Sequence, residues 1–146
     1  MIDKHHIGRQ LPAFLATAEA GQLRFFAKAT GETNPIYFDE QAARDAGHPS
    51  LPLPPTFLFS LELQMPSNAW REELGIVTAR ILHGEESFRY HQMAYAGDTL
   101  RFEVRIADIY DKKAGALEFV VRETRVTNQR GEHVADLRSV LVQRNS

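Results

Sequence analysis

The chain has 146 residues, 43 % hydrophobic and 25 % charged, with a formal net charge of −2 and no cysteine. That length predicts a single domain, 1–146, with a sizeable core, and basic residues without a cluster predict neither nucleic acid nor an anionic membrane surface as partner. Lack of cysteine excludes disulfides, thiolate metal sites and a cysteine nucleophile, and no run of about twenty apolar residues predicts a membrane span.

Met1–Gly8 lacks the apolar segment of a signal peptide, so a cytoplasmic location is expected. His5-His6 reads as a solvated pair near a terminus. Ala18 to Ala29 is the first helix candidate: Leu23, Phe26, Ala27 and Thr30 form one apolar stripe, and Gly31 is a plausible stop. Asn34 precedes Pro35 and is pushed to an extended conformation. Asp39 suits an N-cap for a short helix, Glu40 to Ala46, that stops at Gly47.

The four prolines of His48 to Pro55 predict a stiff extended crossover. It feeds a helix over Thr56–Met65, with Pro55 suited to the first turn and Pro66 ending the run. Phe57, Leu58, Phe59, Leu61, Leu63 and Met65 make this helix apolar on most sides, so it is expected inside the molecule.

The second half reads as strands. Ala79–Tyr90 is the first, and Ala96–Thr99 a turn. Leu100, Phe102, Val104 and Ile106 alternate with Arg101, Glu103 and Arg105. Lys112–Gly115 reads as a hairpin loop, Leu117–Thr127 as the next strand, Asn128–Gly131 as a turn, and Val134–Val142 as the last strand. Pattern alone predicts α+β, with helices segregated from an antiparallel sheet.

One stretch carries more. Thr30-Gly31-Glu32-Thr33-Asn34-Pro35-Ile36-Tyr37, followed by Ala42-Ala43, resembles the hydratase signature of the MaoC-like family, in its N-terminal-type (FAS1-like) dehydratase domain. Leu53-Pro54-Pro55-Thr56-Phe57 resembles that family's entry to its central helix, and Gly97-Asp98-Thr99-Leu100 the end of its strand-turn-strand segment. The resemblance implies a hot-dog fold, a curled antiparallel sheet wrapped around a central helix. It also implies reversible hydration of trans-2-enoyl-CoA or enoyl-ACP to a (3R)-3-hydroxyacyl thioester, without a cofactor. Family members work as homodimers, as heterodimers with a second hot-dog subunit, or as fused double hot dogs. In some heterodimers one subunit shapes the acyl tunnel while the other carries the catalytic Asp and His.

At those two catalytic positions this chain has Glu32 and Tyr37. Hydration needs a base for water, an acid for C2 and stabilisation of the enolate-like oxygen. Glu32 keeps a carboxylate but displaces it by about a C–C bond length, and catalytic geometry tolerates this badly. Tyr37 keeps a donor, but a phenol near pKa 10 is ionised in about one molecule per thousand at neutral pH. Glu32 and Tyr37 are the candidate catalytic pair; a polar turn residue and a packed ring are the plain alternatives. Asn34 and Pro35 are expected to shape a substrate-binding overhang. Thr56 and Phe57 are candidate oxyanion donors, as the first free amides after two prolines. The alternative there is an ordinary helix start.

His48, His83 and His91 are further candidates for a missing histidine, and each also reads as a surface or strand residue. No metal is predicted, because no histidine–carboxylate pair has ligand spacing in sequence. Three functions stay open: an active hydratase/dehydratase, a non-catalytic partner that binds the acyl chain, and a hot-dog thioesterase using Glu62 on the central helix.

Overall fold

A computed structural model describes residues 1–145 of the chain. The order of elements is β1 (Phe14–Thr17), α1 (Ala20–Ala29), α2 (Glu40–Asp45), α3 (Phe57–Glu62), α4 (Ala69–Glu73), β2 (Ile81–Tyr90), β3 (Thr99–Lys112), β4 (Leu117–Thr127) and β5 (His133–Arg144). The strands form one antiparallel sheet in the order β1-β3-β4-β5-β2, so β1 and β2 are its edges. This is the hot-dog arrangement: the sheet wraps α3, and its inner face supplies the core.

The period-two pattern of β3 does what its chemistry demands. Leu100, Phe102, Val104 and Ile106 are fully buried, while Arg101 and Arg105 face outward. A bulge between Ile106 and Asp108 then resets the alternation, so Ile109 rather than Asp108 turns inward. A second bulge lies between His83 and Glu85 in β2. A Cβ on Gly84 there would stand 2.8 Å from Val142 Cγ2 and 3.2 Å from the Val140 carbonyl. Only glycine lets β2 cross β5 this closely.

Two elements escape the sequence pattern and one expectation needs correction. The strand Phe14–Thr17 and the helix Ala69–Glu73 are too short to leave a period. Phe14 stacks on Phe102 at 5.0 Å, and Trp70 is buried, so both elements contribute to the core. The central helix is also shorter than its apolar run. After Glu62 the bonds Gln64 N–H to Leu61 O and Met65 N–H to Glu62 O are of the tighter three-residue type. Phe57, Leu58 and Leu61 are buried, but Leu63 is 55 % exposed, so this chain covers the helix on only part of its circumference.

A polar layer interrupts the core beside α3. Glu62 accepts a hydrogen bond from the Thr124 hydroxyl. Glu86, Ser139 and Arg122 stand next to one another across β2, β5 and β4. Among the described residues, Glu62 Oε2, Glu86 Oε1, Arg122 Nε, Ser139 Oγ and Trp70 Nε1 have no hydrogen-bond partner. The Arg122 guanidinium lies over the Trp70 ring at 5.0 Å. Burial raises the Glu86 carboxyl to about pKa 7, helped by the Glu62 charge and opposed by Arg122.

Candidate active site

The overhang is built by local chemistry. After α1, Gly31 takes φ 76° and Glu32 N–H reaches back to Ala27 O, closing the helix end. Glu32 Oε1 then accepts from the amides of Thr33 (2.9 Å) and Asn34 (3.0 Å). Asn34 Oδ1 accepts from Ile36 N–H at 3.2 Å, opening a 3-10 turn at Pro35–Tyr37. Arg24 Nε–H donates to Phe38 O at 2.8 Å and pins the overhang to α1. Glu32, Asn34 and Pro35 therefore shape the segment that presents Tyr37, and one Glu32 oxygen is occupied in holding its own turn.

Tyr37 borders an apolar pocket of about 120 Å³, which it lines with Leu53, Pro54, Pro55, Leu58, Tyr90, Gln92, Met93, Ala94 and Val134. Glu32, Asn34, Pro35, Thr56 and Phe57 are not among the lining residues. Burial pushes the Tyr37 phenol above its ordinary pKa, and the Glu32 carboxylate pushes in the same direction. Tyr37 thus stays protonated at neutral pH and can donate a hydrogen bond, but it is a poor base. Tyr90 is likewise raised by burial, with the Thr56 amide acting the other way.

The two expected oxyanion amides both have partners within the chain. Thr56 N–H donates to the Tyr90 hydroxyl at 2.9 Å, and Phe57 N–H to Pro54 O at 3.1 Å. The crossover stays extended at Pro52, bridged to Tyr95, and turns only at Pro54–Phe57, where Thr56 takes φ 71°. A β-branched residue in the left-handed region is strained. Tyr90 was missed in the sequence because it lies 53 positions beyond Tyr37; only the sheet brings the two phenols to one pocket.

The other candidates resolve plainly. His48 Nδ1 is 3.3 Å from the Tyr95 hydroxyl, and His83 packs edge-on to Phe59. Asp98 is a turn former, accepting from Tyr95 N–H and Gln129 Nε2. Glu62 is 3 % exposed and lies in the polar layer, outside the pocket lining. Among the described residues, one trio, His91, His133 and Asp136, brings potential metal-ligand atoms within 4.8 Å of one another.

A buried helix, a five-stranded antiparallel wrap and a proline-stiffened overhang beside an apolar niche define a hot-dog protein. The chain belongs to the FAS1-like dehydratase domain region family, whose model matches residues 5–137. It is 33 % identical over 148 residues to a UPF0336 protein of Saccharopolyspora erythraea, covering 99 % of this chain and 93 % of that one. Among solved structures it resembles the C-terminally truncated HadBC (3R-hydroxyacyl-ACP dehydratase) complex from Mycobacterium tuberculosis. That match has TM-score 0.78 and 28 % identity, covering 94 % of this chain and 96 % of the other. A MaoC-like dehydratase superposes at TM-score 0.84 and 22 % identity, with this chain spanning 97 % of its own length and 43 % of the other's.

Proposed function

We propose that the chain acts in the interconversion of trans-2-enoyl and (3R)-3-hydroxyacyl thioesters of CoA or ACP, as the substrate-holding subunit of a pair of hot dogs. The other subunit supplies acid and base. The observation that carries this reading is the state of the two signature positions. Tyr37 faces the pocket as a protonated phenol, while Glu32 spends one carboxylate oxygen on the overhang's own amides. Two features support it. A 120 Å³ niche is well below the roughly 300 Å³ at which ligand sites begin, so a second wall is required. The similar HadBC chain comes from a two-subunit dehydratase complex.

The direct test is hydration of crotonyl-CoA and longer enoyl-CoA substrates by the pure protein, alone and mixed with a hot-dog subunit that keeps the Asp and His. Activity only in the mixture is expected. Full activity alone would establish the second reading, an active hydratase using Glu32 with Tyr37, whose one support is that the Glu32 charge is felt at the Tyr37 phenol. On the second reading the variant Tyr37→His, which restores an imidazole on the overhang, gains measurable hydratase activity in the isolated chain, and on the first it does not. No gain in a folded variant would count against the overhang as the place of chemistry.

A further inference from the structure

We infer that His91, His133 and Asp136 form a binding site for one divalent transition-metal ion of the zinc type, on the outside of the sheet where β2 runs out against β5. The ligand atoms already converge. His91 Nε2 is 2.8 Å from one Asp136 oxygen and His133 Nε2 is 2.8 Å from the other. The two imidazole rings lie 4.1 Å apart and tilted by 30°. Zinc holds such donors at about 2.0–2.2 Å, which in a tetrahedron sets them a little over 3 Å from each other. The three side chains need only a small opening to admit the ion, and partial exposure leaves room for water as a fourth ligand.

The backbone beneath is fixed. His91 N–H and Gln92 N–H both donate to Val134 O, at 2.8 and 3.2 Å, so the end of β2 is tied to β5 between the ligands. The orientation of Asp136 is informative. Arg89 and Arg125 flank it in register on the neighbouring strands. Yet among the described residues its ion pairs are with the two histidines alone. A carboxylate offered two guanidinium groups and turned to two imidazoles is arranged as a ligand set. The same two cations oppose an incoming charge, so binding in the micromolar range is expected and not the tighter range of closed zinc sites. Two nitrogen donors and one oxygen favour Zn²⁺, Co²⁺ or Ni²⁺ over Mg²⁺ and Ca²⁺, which take oxygen ligands.

The test uses untagged full-length protein. Calorimetric titration with Zn²⁺ is expected to show one ion per chain and no comparable binding of Mg²⁺. His91→Ala, His133→Ala and Asp136→Asn are each expected to weaken binding by about tenfold or more. The His5→Ala/His6→Ala double variant, which removes the other histidine pair, is expected to leave it unchanged. Nitrogen NMR of the unaltered protein gives a readout independent of any variant's folding: Nε2 of His91 and His133 shifts on adding Zn²⁺. Absence of binding, binding that follows His5 and His6, or unmoved His91 and His133 resonances overturns the site. None of these outcomes depends on the dehydratase reading.

Discussion

Among the described residues, Tyr90 Oη is the one hydrogen-bond partner of the Thr56 amide, and Thr56 sits in a backbone region that threonine avoids. Tyr90→Phe removes that bond, and chemical denaturation is expected to show a loss of about 1 kcal/mol. Glu86 carries a pH prediction. Its carboxyl is raised to about 7 by burial and by Glu62, so the folded state holds the proton more tightly than the unfolded chain. Its destabilising effect is absent below the ordinary carboxylate range, grows as pH rises from there to about 7, and levels off above it. Thermal stability is therefore expected to fall from pH 5 to pH 8. Glu86→Gln is expected to flatten that slope and to stabilise the protein at pH 8 by on the order of 1 kcal/mol, after discounting for partial exposure. At this scale the overhang was legible because its causes are local: an Asn before a Pro and a glycine after a helix act within a few residues. The pairing of Tyr37 with Tyr90, the His91–His133–Asp136 trio and the polar layer around Glu62 come from strand register, which spacing along the chain does not encode.

Among the elements, the long strands were legible because one buried face imposes a period of two over ten or more residues. The bulges were not: the one after Ile106 reverses the alternation without a turn residue to announce it. Gly84 looked like any glycine in a strand, and its reason appears only when Val142 and Val140 are set opposite. Gly84→Ala is expected to cost about 1–3 kcal/mol through that clash, measured as a lower urea midpoint with an unchanged slope. The central helix was legible as apolar but not in length. An apolar run reports what the surroundings want to bury, and part of those surroundings lies outside the described chain if Leu63 is to be covered.

For the whole molecule, the α+β class was readable from pattern, whereas the hot-dog wrap needed the resemblance carried by the overhang and the helix entry. Partner choice was not readable at all. Among the described residues, β2 has a neighbour on one side only, and Leu82, Tyr90 and Met93 are 51 %, 50 % and 45 % exposed along and just beyond it. A long edge with apolar side chains is what a second sheet pairs with. Sedimentation velocity is expected to show a dimer or a complex with a second hot-dog subunit, and Leu82→Lys to shift the population toward monomer without changing the far-ultraviolet spectrum. A monomer in the unaltered protein, with and without a partner present, would remove β2 as an interface.

On the proposed reading, that bare rim ties the chain's fate to its mate. Amides and carbonyls pointing off the sheet bind whatever extended backbone arrives first, and a crowded cell offers many wrong ones. Copies made in excess of their companion should be the ones that clump or are degraded, so matched co-production should raise the recovered yield of both subunits more than any change of temperature or buffer.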